Sequence, residues 1–215
     1  MTEHPVEELR AQASRGDYVS MARLAKALYG QGLTTAEVVS ECYGTGFPDE
    51  FFVLAADRLT KPRLMVDLTG LPWRLCTSPA EGGPPMAPSA LTGEAERDVF
   101  ARDPDLAPLV QLLAPRETRE NAVIGYRITD LRAGGTAVFR CRVPAASEEE
   151  IERCGESLLG FLHTHHLEYL RAEERIRRSP GNWGFGAVDR ESVDGIRSLV
   201  EGIEGLQREV GRIGT

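Results

Sequence analysis

The sequence predicts an α+β fold: a small antiparallel sheet flanked by helices, with an N-terminal helical hairpin and two long C-terminal helices. Three observations predict it. Helix-start chemistry recurs toward both ends of the chain, as Asp17, as Thr34 with Glu37, and as Ser147 with Glu150. The stretch "NAVIGYRITDLRAGGTAVFRCRV" carries the clearest period-two pattern, with a glycine turn in its middle. After residue 146, two long amphipathic stretches lie on either side of "SPGNWGFG".

Taken in order, the first region is residues 1–46. Asp17 can cap a helix carrying Tyr18, Met21, Leu24, Ala25 and Leu28 at helical spacing. "YGQGL" breaks it. The capping box of Thr34 and Glu37 opens a second helix with Val38, Val39 and Cys42, and Gly44 is placed to end it in the left-handed region.

Residues 47–146 read as a mixed core. "FPDEFFVLAADRL" is a helix with Pro48 at its first position and acids in its first turn. "RLMVDLTGLPWRLCT" reads as two short strands about a turn, and "SPAEGGPPMAPSALTG" as an open Pro/Gly loop. Two short helical pieces are expected at "EAERDVFARD" and "LAPLVQLLA". A hairpin at 123–143 is expected to bury one face. Residues 147–215 read as a helical hairpin, one helix running from about Glu148 to Arg178, the other capped by Asp189 and reaching Ile213. The whole is expected to form one domain over 1–215.

Composition narrows the function. Of 215 residues, 41% are hydrophobic and 27% charged, which suits a globular chain able to bury a core without disulfides. No apolar run approaches the roughly 18 residues of a membrane span. The polar start "MTEHPVEELRAQASRGD" does not read as a secretory signal, so the expected location is cytoplasmic. The net charge is −8, with eight acids against four bases in the first fifty residues and fourteen against ten after residue 140. No basic face emerges, which disfavours nucleic acid.

The candidate chemistry centres on "FLHTHHLEYLRAEERIRR", 161–178, which holds three of the four histidines. On a helical wheel Ile151, Leu158, Leu162, Tyr169 and Ile176 form an apolar stripe, with His165 and His166 on its shoulders. His163 and His166 satisfy the i, i+3 spacing of a helical metal pair, and Glu156 or Glu174 would have to supply a third ligand. No HExxH accompanies them. The expectation is packing histidines, with no metal and no cofactor. Cys42, Cys76, Cys141 and Cys154 form no CxxC pair and read as small apolar residues. Asp49 and Glu50 read as helix-start charges, not acid/base catalysts. Trp73 and Trp183 sit in Pro/Gly surroundings, where an aromatic covers a loop or anchors a partner.

"ECYGTGFPDEFFVLAADRL", 41–59, resembles the opening signature of the SUKH superfamily: a short YG turn, then an acid, then an aromatic-rich helix. Short strands, a variable loop, a hairpin and a helix follow in a similar order, so the resemblance covers about residues 33–165. Phe47 stands where the family usually has leucine, and the C-terminal helical extension is additional. The resemblance implies an α+β fold and a non-enzymatic binding role, many members being immunity proteins that neutralise a toxin.

The expected function is therefore binding of a protein partner, such as a basic toxin domain, by a monomer or weak homodimer. The expected surface is the loop 77–92 with Trp73 as anchor and Glu81 and Glu94 on its rim. The alternatives are an adaptor acting through its C-terminal helices and, last, a histidine-dependent metal enzyme. The adaptor reading rests on Ile196, Leu199, Ile203, Leu206, Val210 and Ile213, which trace a short heptad seam. That seam is expected to pack on the helix before it in the same chain.

Overall fold

The structure is a computed structural model, and it describes residues 6–57, 66–68, 71–85, 90–112, 121–143, 151–178 and 190–213. In chain order the elements are α1 (Val6–Gln12), α2 (Tyr18–Gly30), α3 (Thr35–Tyr43), α4 (Asp49–Asp57), β1 (Val66–Asp67), α5 (Leu71–Leu75) and α6 (Ala90–Arg102). There follow β2 (Leu106–Leu112), β3 (Asn121–Arg127), α7 (Ile128–Arg132), β4 (Val138–Val143), β5 (Ile151–Gly155), α8 (Leu158–Arg178) and α9 (Arg190–Ile213). The fold is α+β, with helices flanking a small antiparallel sheet and a long helix pair at the C-terminus. By internal contacts the chain forms two compact units: Met1–Pro48 with Val66–Cys154, and Asp49–Met65 with Gly155–Thr215.

The first unit is built on a meander in the order β1-β2-β3-β4-β5. Its antiparallel register pairs Val66 with Leu112, Leu106 with Arg127 and Asn121 with Val143. β3 is buried on both faces from Ala122 to Tyr126, which a central strand requires and a one-faced hairpin does not. One face carries Val123 and Cys141, which cluster with Val99 of α6, Leu106, Phe139 and Ile151. On the other, Tyr126 meets the ring of Phe47 edge-on at 5.7 Å. Gly125 is dictated by strand spacing: a Cβ there would collide with the Ala107 carbonyl oxygen, beside a register shift at Pro108/Val110.

The N-terminal helices follow the sequence closely. Asp17 caps α2 by accepting the Val19 amide. Thr34 and Glu37 form the reciprocal capping box of α3, and Gly44 ends α3 at φ 66°. Sequence reading missed α1, which is tied to α3 by the ion pair of Arg10 with Glu41.

Four expectations are corrected. "LAPLVQL" is strand β2, not a helix. Its apolar run is too short for periodicity to separate the two, and Pro108 sits at the bulge that a strand tolerates. "LPWRL" is the one-turn helix α5, not a strand. Pro72 falls in the first turn, where no amide donor is needed, and the Glu96 carboxylate accepts the Leu71 amide at 2.9 Å. The hairpin at 123–143 is interrupted by α7, which takes Ile128 out of the strand. "IERCG" is β5, beside β4, so the helix expected from Glu148 starts at Leu158. The Ser147/Glu150 box, Asp189 and Trp183 lie outside the described residues.

The second unit contains α4, α8 and α9, so "DEFFVLAAD" groups with the C-terminal pair and not with the 47–146 core. The contacts Glu174–Arg197 and His163–Glu204 step in opposite directions along α8 and α9, so the two helices are antiparallel. The middle of the seam is buried here: Leu199, Ile203 and Leu206 are buried, joined by Val193 and Val200 against Leu170, while Val210 is half-buried and Ile213 is exposed. No helix among the described residues is long and apolar enough to cross a membrane.

Candidate functional site

The histidines of α8 owe their positions to the helix start. Glu50, in the first turn of α4, reaches the exposed amides of the α8 N-terminus. Its carboxylate accepts the Leu158 amide at 2.8 Å and the Leu159 amide at 3.0 Å while only 6% exposed. A carboxylate there satisfies two orphan donors and meets the positive end of the helix dipole. Ser157 Oγ accepts the Gly160 amide at 3.0 Å and completes the cap.

From that start the buried line of α8 runs through Leu159, Leu162, His166 and Leu170. His166 therefore sits on the centre of the face, not its shoulder. The displacement arises because Ile151 is on β5 and Ile176 is 45% exposed, so neither anchors the stripe. The His166 ring donates from Nδ1 to the Leu162 carbonyl oxygen at 2.7 Å, since a carbonyl can only accept. That fixes Nε2 as the bare acceptor, buried and, among the described residues, without a hydrogen-bond partner. Burial lowers the His166 pKa, with the Leu162 bond opposing. His165 stacks on Phe161 at 6.0 Å and meets His166 edge-on at 5.2 Å.

His163 turns to α9 instead, its Nε2 lying 3.1 Å from Glu204 Oε1. The i, i+3 pair thus does not converge: one ring closes on its own helix and the other on α9. Of the two further ligands the spacing suggested, Glu174 accepts from Arg197 at 2.8 Å. Among the described residues no three His, Cys, Asp or Glu side chains gather as a metal site requires.

Cys42, Cys76 and Cys154 are protonated thiols at neutral pH. Burial pushes Cys42 to about 12, with Glu41 adding to it, Cys76 to about 12, and Cys154 to about 11. A thiol so far above neutrality is a poor nucleophile.

The described part of the expected docking surface is more folded than an open loop, and residues 86–89 of it lie outside the described residues. Trp73 is half-buried on α5, and its indole N–H donates to the Leu109 carbonyl oxygen. Glu81 is exposed on a tight turn at Pro79–Glu81, where its carboxylate accepts from the Ser78 amide and hydroxyl at 3.1 Å. Gly83 and Pro84 are buried, and the Tyr18 hydroxyl donates to the Pro85 carbonyl oxygen. From Ala90 the chain is already α6. Glu94 lies on that helix, its side chain outside the described residues.

A cleft of about 360 Å³ opens beside this region, lined by Arg15, Asp17, Tyr18, Leu71, Glu96 and Arg97. Its groups are drawn from three distant stretches, so no local motif marks it. Most of its polar chemistry is internal: Asp17 caps α2, Glu96 holds the Leu71 amide, and the Arg74 guanidinium lies 5.4 Å from the Tyr18 ring centre. Among the described residues Arg15 Nη1 and the nearby Tyr43 hydroxyl have no hydrogen-bond partner, and both atoms are shut off from solvent.

Comparison with protein-family models, with curated proteins and with solved structures finds no match to this chain.

Proposed function

We propose that this chain is a non-enzymatic binding protein of the kind the SUKH resemblance implies: an immunity protein that neutralises a bacterial toxin domain by direct binding. The observation that carries the reading is the net charge of −8. An acidic surface attracts a basic partner, speeds encounter and disfavours acidic competitors. The docking surface is the exposed turn at Glu81 with the uncovered part of Trp73, and Glu94 follows on the adjoining helix.

Two further observations support binding over catalysis. The buried thiols stay protonated at neutral pH. The α8 histidines are engaged in packing and in the contact with Glu204. The burial of Leu199, Ile203 and Leu206 within the second unit favours this reading over an adaptor acting through that seam.

The test is co-expression with the toxin domain encoded beside this chain. Restored growth and a co-purifying complex are expected, both weakened by Glu81→Lys with Trp73→Ala. No rescue and no complex would overturn the reading.

A further inference from the structure

We propose that His166 is an acid-sensitive pin, built into the middle of α8, that loosens the helix unit Asp49–Met65 with Gly155–Thr215 as pH falls below neutrality. The geometry requires it. The ring is 0% exposed, its Nδ1 proton is held by the Leu162 carbonyl, and among the described residues Nε2 has no hydrogen-bond partner. Charging the ring adds a proton at Nε2, where nothing can accept it, and strands a cation in an apolar face. The second proton is tolerated only when α8 parts from its cover and the ring meets water.

Among the described residues, no charged group compensates. Glu50 on α4 is spent on the first amides of α8, Glu204 on α9 holds His163, and Arg197 on α9 holds Glu174 and Asp194. The ionisation of His166 answers to burial and to the Leu162 carbonyl. His165 touches the ring edge-on and offers no countercharge.

An unfolded chain takes up this proton near pH ~6.5, whereas the folded chain resists it, so acid favours the open state. Stability from this group is full above about pH 6.5 and falls as pH drops below it. Between pH 7.0 and 5.5 the equilibrium constant for opening rises by up to roughly eightfold on this account alone. Carboxylates titrate mostly below that window and contribute equally to a variant lacking the ring.

Urea unfolding of the full chain at pH 7.0 and 5.5 tests this, comparing the wild type with His166→Leu, which keeps the site apolar. The wild type is expected to lose more in its folding equilibrium than His166→Leu across the window, by up to roughly eightfold. Equal pH dependence in the wild type and His166→Leu would overturn the proposal. Ring ¹⁵N spectroscopy of the wild type gives an independent reading. The Nδ1–H form is expected to persist in the folded chain at pH 5.5, and a His166 ring that charges near pH ~6.5 while α8 stays folded would refute the pin.

Discussion

Single side chains set the most consequential contacts in this molecule, and Glu50 is the clearest. In sequence it is one of two acids opening a helix, where it reads as an N-terminal charge. In the structure it serves a different helix, accepting two amides of α8 across more than a hundred residues. No local pattern announces such a partner, because the donors are ordinary backbone groups made special only by standing at a helix start. Glu50→Ala is expected to cost about 2 kcal/mol, through two buried amides left without acceptors. Glu50→Gln should lose less, since one amide oxygen remains. Thermal or urea unfolding of the two variants measures the difference. Residues whose role is local were legible, as Asp17, Thr34, Glu37 and Gly44 show, since each acts within one turn of the helix it caps.

At the scale of elements, the long C-terminal pattern was legible and the short central ones were not. α9 spans Arg190–Ile213, long enough for its three-and-four spacing to be unambiguous. β2 and β5 are seven and five residues long, and pairing in the sheet decided them. In β5 the helical signals of "EEEIERCG" lost to a place beside β4, as propensity yields to tertiary context. The burial of Leu199, at 5% exposure, predicts that Leu199→Asp costs several kcal/mol and unfolds the helix unit in denaturant at lower midpoint. A variant that stayed as stable while a dimer became a monomer would place the seam between chains. The glycines of α9 predict the opposite sign. A Cβ at Gly202 meets nothing within 4 Å, so Gly202→Ala should raise stability by up to about 1 kcal/mol, read from the same unfolding curves.

The binding reading proposed above draws on the whole molecule, since a net charge of −8 would favour encounter with a basic partner. The candidate surface was only partly legible. The sequence marked Trp73 and Glu81, but not that the indole N–H is bonded inside the fold or that the turn around Glu81 is a capped one. The most direct measurement of the central claim is calorimetric titration of this chain, at low and high salt, with any basic toxin domain encoded beside it. A one-to-one complex whose affinity falls several-fold between about 50 and 300 mM salt is predicted, as steering by an acidic surface requires. Absence of binding at low salt, or binding indifferent to salt and to Glu81→Lys, would contradict it.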